Sequence, residues 1–228
     1  MKKAKFRHEL KHYINLAECA ILQSKLHTIM KPDAHVGPDG NYLIRSLYLD
    51  TPDDKALMEK VTGARRHEKF RIRLYNHNDA HIKLEKKVKI GDVAIKLGTA
   101  ITKEQCLDII AGNIEWLKTA EQPLLNELYE KMVHQQLRPK TIVDYIREPY
   151  VYSAGNVRVT LDKHLTTGLY SIDIFNKYLL TVQALDPGLV ILEVKYDAFL
   201  PEFVTDLLQL GERRKTSISK YAICRKYE

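Results

Sequence analysis

KFRIRLYN (69–76) and HIKLEKKVKIGDVAIK (81–96) decide the architecture, because both alternate apolar and charged residues with a period of two. Successive residues of a strand point to opposite faces. Lys69, Arg71 and Arg73 therefore share one face, and Phe70, Ile72 and Leu74 the other. In the second run Lys83, Glu85, Lys87 and Lys89 oppose Ile82, Leu84 and Val88, with Lys86 as the intruder on the apolar side. Two or three adjacent strands result. The plain reading is an antiparallel sheet with one solvated face. The charges, however, are mostly basic, and a row of like charges across neighbouring strands is destabilising. A polyanion relieves that repulsion. Related stretches recur as VRVTLDK (157–163), ILEVKYD (191–197) and SISKYAICRK (217–226).

The chain has 228 residues, 45% of them hydrophobic, enough for a real core. Antiparallel barrels of roughly 200–250 residues are commonly single domains, and the basic strands lie on both sides of a helical insert at about 102–136, which argues for one closed sheet over 1–228. Lys plus Arg number 36 against 29 Asp plus Glu, a formal charge of +7. That balance favours acidic partners such as nucleic acid, phosphates or an anionic membrane surface without choosing among them. Cys19, Cys106 and Cys224 are widely spaced and lack metal-ligand or disulfide patterning, so a reducing compartment is expected. Neither a signal peptide nor a membrane-spanning run is visible, and the expectation is a soluble cytoplasmic protein without direct membrane insertion.

Read in order, 5–14 suggest a first strand, followed by a helix capped by Asn15 and Glu18 and striped by Leu16, Cys19, Leu22, Leu26 and Ile29. YLIRSLYLD (42–50) reads as a strand, and Thr51-Pro52-Asp53-Asp54 as a helix start. Gly91-Asp92 suggests a tight hairpin turn. Thr102 with Gln105 forms a second capping box. The helical insert carries Leu107, Ile110, Ile114 and Leu117, then Leu124, Leu128, Met132 and Val133. Strands are expected at 140–152, 156–165, weakly at 169–173, at 189–197 and finally at 217–226, with a helix at 201–210 facing Phe203, Val204, Leu207 and Leu208 inward.

The basic candidates on these strands are Lys11, Arg71, Arg73, Lys87, Lys89, Lys96, Arg147, Arg158 and Lys220. On a curled sheet their inward members converge, and such a lining binds phosphates through charge-assisted hydrogen bonds. Each taken singly reads equally as an exposed strand residue. Glu9, Glu85 and Glu193 each precede a lysine by two residues, a same-face ion pair or a carboxylate that holds a divalent metal among phosphates. Glu193 is the strongest metal candidate, since its neighbours in LVILEVKYD read as buried. His8, His12, His67, His77, His81, His134 and His164 show no metal or triad spacing, and the usual phosphate-loop and nucleophile motifs are missing.

Glu9-Leu10-Lys11-His12-Tyr13, SLYLD (46–50), Arg71-Ile72-Arg73, LEKKVK (84–89), Tyr145-Ile146-Arg147, VRVTLD, ILEVKYD and Ser219-Lys220-Tyr221, in this order, resemble the catalytic domain of vacuolar transporter chaperone (VTC) polyphosphate polymerases, in the triphosphate tunnel metalloenzyme (CYTH-like) superfamily. The resemblance covers nearly the whole chain. It implies an α+β fold, an antiparallel closed β-barrel forming a triphosphate tunnel with peripheral helices. It also implies phosphate contacts from Lys11, Arg71, Arg73, Lys87, Lys96, Arg147, Arg158 and Lys220, with Glu193 as ligand to Mn²⁺ or Mg²⁺. Lys96 depends on the hairpin register before it. The hydrolase branches open with Glu-x-Glu-x-Lys, and Arg7 stands here in the first acidic place, which favours polymer binding over two-metal hydrolysis. The eukaryotic polymerases carry a regulatory domain before the tunnel and membrane helices after it, so such functions are expected from a separate membrane or regulatory partner.

The expected activity is a polyphosphate polymerase-like phosphotransferase that moves the terminal phosphate of ATP onto phosphate or polyphosphate. Arg71, Arg73, Arg147, Arg158 and Lys220 would neutralise the transferred group. The alternatives are a triphosphate hydrolase of the same fold and a non-catalytic polyphosphate or nucleotide sensor. Nucleic acid is not expected as a partner, because few aromatics lie within the basic strands to stack bases.

Overall fold

A computed structural model describes residues 7–91, 93–209 and 216–227. Asp92 of the expected hairpin, Leu210 of the expected late helix and the start of the expected first strand lie outside these residues. The strands are β1 (His8–Asn15), β2 (Lys31–Pro32), β3 (Tyr42–Asp50), β4 (Arg66–Tyr75), β5 (Asn78–Ile90), β6 (Val93–Ile101), β7 (Arg138–Tyr152), β8 (Val157–Thr167), β9 (Val182–Gln183) and β10 (Leu189–Tyr196). They form one antiparallel sheet in the order β1-β10-β8-β7-β3-β4-β5-β6, with β2 on β7 and β9 on β8.

The sheet curls into a half-barrel, which corrects the expectation of a fully closed one. Among the described residues, the end strands β1 and β6 meet through an isolated bridge from Arg7 to Ala94 and not through a ladder. Across this seam Lys87 of β5 reaches Glu9 of β1 at 2.5 Å. Side-chain charge closes what backbone hydrogen bonds leave open.

The convex face carries most of the helices. Helix α1 (Leu16–Ile29) has the expected Asn15–Glu18 capping box and buries Cys19, Leu22 and Leu26, while Leu16 and Ile29 are exposed. Its buried stripe packs with Leu161, Leu192 and Val194. Helix α2 (Lys55–Val61) starts later than Thr51-Pro52 suggests. The buried Asp50 carboxylate explains the delay: it accepts from the backbone N–H of Thr51, Ala56 and Leu57, so the cap comes from the end of β3. Helices α3 (Lys103–Ala111), α4 (Glu115–Lys118) and α5 (Pro123–Gln135) form the insert. They cover Phe70, Ile72, Leu74, Ile82 and Leu84, the apolar faces of β4 and β5. In α3 the buried residues are Cys106 and Ile109 and Leu107 is exposed, so the true stripe runs one residue out of step with the expected one. Lys86, the charge on the apolar side, lies over the Phe70 ring and pairs with Glu68 at 2.8 Å and with Glu127.

Two expected strands are absent. Residues 169–173 are irregular, and Ile174 is the residue there that enters the core. The final stretch forms a helix, α7 (Lys220–Cys224), instead of a strand. Ser219 caps it by accepting from the Ala222 N–H, and Ile218, Tyr221 and Cys224 recur at a helical spacing and are buried. These side chains join Ile44, Val143 and Ile191 in an apolar cluster. Hydrocarbon from α7 thus fills part of the concavity. Helix α6 (Glu202–Leu207) buries Val204, and Leu208, at the cap just past its end, is buried as well, while Phe203 is exposed, against the expectation that it faces inward.

Candidate functional site

Antiparallel register carries the charged faces of β1, β10, β8, β7, β3, β4 and β5 to the concave side. Lys11 stands opposite Glu193, Arg147 opposite Asp162, Tyr48 opposite Arg71, and Arg71 opposite Glu85. Each pair is adjacent because strand partners on one face lie only about 4.5–5.5 Å apart.

At the centre, Arg147 donates from Nε and Nη2 to both Asp162 oxygens at 2.7 Å and from Nη2 to Glu193 at 2.9 Å. Lys220 reaches the same Asp162 at 2.6 Å from α7 and lies 4.8 Å from the centroid of the Tyr145 ring. Arg73 donates to the hydroxyls of Ser46 and Tyr145, each at 3.1 Å. Arg71 donates to Glu85 at 2.8 Å and to the Tyr48 hydroxyl at 3.0 Å. Lys11 sits between Glu193 at 3.6 Å and Glu9 at 3.8 Å.

The interior is therefore less repulsive than the bare row of cations implies. Glu9, Glu85, Asp162 and Glu193 offset part of it, and phenolic hydroxyls take up further donors. Burial alone raises a carboxyl's pKa. At Glu193 the Lys195 and Lys11 ammoniums outweigh it and hold the group well below the usual range. Burial is likewise outweighed at Glu85, where Arg71, Arg73 and Lys96 keep the carboxylate charged. Arg147 is raised despite its burial, chiefly by Asp162.

Lys11, Arg71, Arg73, Lys87, Arg147, Lys220 and Glu193 thus share one concave network. Lys96 is in the expected register, opposite Lys87, and pairs with Glu85 while half exposed on the edge strand. Arg158 lies towards the rim, donating to the Tyr42 hydroxyl at 2.7 Å beside Asp33 at 3.1 Å. Lys89 lies towards the opposite rim. Arg7 is held by Asp197 at 3.0 Å. Glu9, read from the sequence as an ion-pair or metal carboxylate, does join the cluster, whereas sequence reasoning missed Asp162, and also the tyrosines. Alternation could have found Asp162, which shares a face with Thr160 and Arg158 in VRVTLD.

A divalent metal has a fitting place. Glu9 and Glu193 lie side by side, and Glu9 Oε1 is buried without a hydrogen-bond partner among the described residues, though Lys195 stands 3.4 Å away. The neighbouring Glu193 opposes ionisation of Glu9 and burial does so more strongly, yet Lys11 and Lys195 leave it ionised more readily than usual. One or two carboxylates with phosphate oxygens is the ordinary donor set for Mg²⁺. No group of three or more His, Cys, Asp or Glu able to hold a metal occurs among the described residues, so phosphate oxygens would complete the shell.

Lys69 is different from its neighbours. Its ammonium donates to the Ser219 hydroxyl at 2.9 Å, and burial, reinforced by Lys60 and Lys11, pushes its pKa down to about 7. An unfolded lysine keeps its proton to about pH 10. Below about 7 Lys69 is charged in both states and destabilises the fold in full. Above 7 the unfolded chain binds the extra proton, so ligand-free stability rises with pH through that value. Lys69→Met should flatten this rise in thermal midpoints measured from about pH 6 to 9. An identical slope in the variant would contradict the assignment.

Solved structures share this curled antiparallel fold. HpAC1 from Hippeastrum, described as a candidate adenylyl cyclase with a dominant triphosphatase activity, is similar with a TM-score of 0.59 and 15% identity, over 98% of this chain and 96% of that one. A candidate adenylate cyclase from Bacillus halodurans gives 0.54 and 15%, over 93% and 94%. The PH1819 protein of Pyrococcus horikoshii OT3 gives 0.51 and 14%, over 97% and 99%. No curated protein matches. The chain belongs to the VTC domain family, whose model matches residues 6–227.

Proposed function

We propose that this protein is a polyphosphate polymerase-like phosphotransferase that moves the terminal phosphoryl group of ATP onto phosphate or a polyphosphate chain. The observation that carries this reading is the convergence of Lys11, Arg71, Arg73, Arg147 and Lys220, from four separate elements, on one partly buried concave face. Phosphoryl transfer asks mainly for positioning and charge neutralisation. Arg71 and Arg73 are held side by side through Glu85 and would turn donors from these partners to equatorial phosphate oxygens. Arg147 and Lys220 are aligned by Asp162 and would orient the leaving diphosphate. An acceptor phosphate oxygen forms the new P–O bond as the bond to the leaving diphosphate breaks, without a protein nucleophile. Glu193, with Glu9 beside it, would hold Mn²⁺ or Mg²⁺, whose charge offsets that of the phosphates.

A triphosphate hydrolase of the same fold is the second reading, favoured by the Glu9–Glu193 pair and by the triphosphatase activity described for the Hippeastrum protein. Incubation of the purified protein with ATP and Mn²⁺, followed by gel electrophoresis and phosphorus NMR, separates them. Long polymer is expected. Orthophosphate alone would establish hydrolysis, and unchanged ATP would leave a sensor. We infer that residues 1–228 act as one domain, in the cytoplasm. The burial of the Cys19, Cys106 and Cys224 thiols is in keeping with a reducing compartment. No helix among the described residues is long and apolar enough to cross a membrane.

A further inference from the structure

Where β4 begins and β5 ends, the charged face runs on past Lys69 and Lys87 to the next same-face pair, His67 and Lys89. There Lys60, Arg65, His67, Lys89 and Ser217 line a recess of about 240 Å³. Turns at Gly63 and Gly91, with φ of +73° and +55°, bound it, and a side chain at either would meet no atom within 4 Å, so the backbone there is open.

The charge balance of this recess differs from that of the central network. Arg71, Arg147, Lys11 and Lys220 each face a carboxylate, whereas Lys60, Arg65, Lys69 and Lys89 have no ion pair among the described residues. Lys60 and Lys69 donate instead to the hydroxyls of Ser217 and Ser219. Burial and the neighbouring Lys89 and Lys11 push the Lys60 ammonium down, and burial with Lys69, Lys89 and Lys60 does the same to His67. A cluster of like charges without counter-charge is costly unless an anion joins it. The volume lies below the roughly 300–1,000 Å³ of drug-sized sites. No Tyr, Phe or Trp among the described residues lines it to stack a base. Both features select a short run of bare phosphates over a whole nucleotide.

We propose that this recess is a chain-length subsite, taking the phosphates of an inorganic oligophosphate that extend beyond those held by the concave face. The inference rests on the reading of that face as an oligophosphate site and adds where the chain leaves it. Calorimetric titration of the purified protein, metal-free, with tripolyphosphate, medium-chain linear polyphosphate and ATP tests it. The longer chain should bind about tenfold or more tightly than tripolyphosphate. In the Lys60→Gln/Arg65→Gln double variant that advantage should fall several-fold, with tripolyphosphate and ATP affinities unchanged. Longer chains gain binding registers by statistics alone, so the comparison between variant and wild type decides. An undiminished advantage in the variant overturns the subsite, and so does an equal loss for ATP, which would make it a nucleotide site. Tighter binding of a single-stranded oligonucleotide than of polyphosphate also overturns it. If the wild type binds no tripolyphosphate at all, the reading of the concave face fails first.

Discussion

Arg147→Ala is expected to be the most damaging single substitution, lowering stability by about 3–5 kcal/mol, the usual cost of removing one partner from a buried ion pair. The guanidinium is buried and bonds Asp162 through two nitrogens and Glu193 through one of them. Its loss leaves both carboxylates short of positive charge in a low-dielectric interior, with only Lys220, Lys11 and Lys195 to compensate. For a chain of this size the thermal midpoint should fall by roughly 6–20 °C. Turnover, assayed at a temperature where circular dichroism shows the variant folded, should fall to about 1% or less. Arg147→Lys should recover part of the stability and little of the turnover, because an ammonium cannot bridge two carboxylates with the same fork. A midpoint within 2 °C of wild type, on the same scale of about 2–4 °C per kcal/mol, would show that the network is not what holds these strands together.

Glu193→Gln should separate binding from chemistry. Glutamine keeps the shape and can still accept from Arg147, but it removes the charge that balances Lys11 and Lys195 at 3.6 and 3.0 Å. Triphosphate affinity in chelator should be retained or tightened, since the concave face becomes more positive. Binding of Mn²⁺, read by its paramagnetic resonance signal, should weaken, and metal-dependent turnover should fall by about 100–1,000-fold. Wild-type Mn²⁺ binding and turnover in the variant would remove Glu193 from the proposed metal site. Retained triphosphate binding with no turnover in either protein would point to a sensor.

Much of the cluster was legible from alternation. Lys69, Arg71 and Arg73 could be assigned to one face because Phe70, Ile72 and Leu74 demanded the other, and the helical insert covers those three. The Asn15–Glu18 and Thr102–Gln105 capping boxes were legible for the same local reason: their hydrogen bonds span only three residues. The final stretch misled because SISKYAICRK alternates weakly as a strand while Ile218, Tyr221 and Cys224 also fit a helix. A short apolar run does not decide between the two. The start of α2 was misplaced because its cap is Asp50, a strand residue whose role depends on the turn after it.

The order of charges along the chain determined by itself which residues share a face and that this face is basic, since side-chain direction in a strand is a local property of the backbone. Only the tertiary structure decided which charges meet. Asp162 lies far from Lys220 in sequence, and Glu9 from Lys87, and each pair is joined by strand order and curvature. The same long-range geometry left the seam between β1 and β6 without a ladder among the described residues and turned the last segment into a helix. It also left Lys60, Lys69 and Lys89 without a carboxylate among the described residues. Coulomb energy depends on distance through space and on burial, and neither is written in the spacing of residues along a chain.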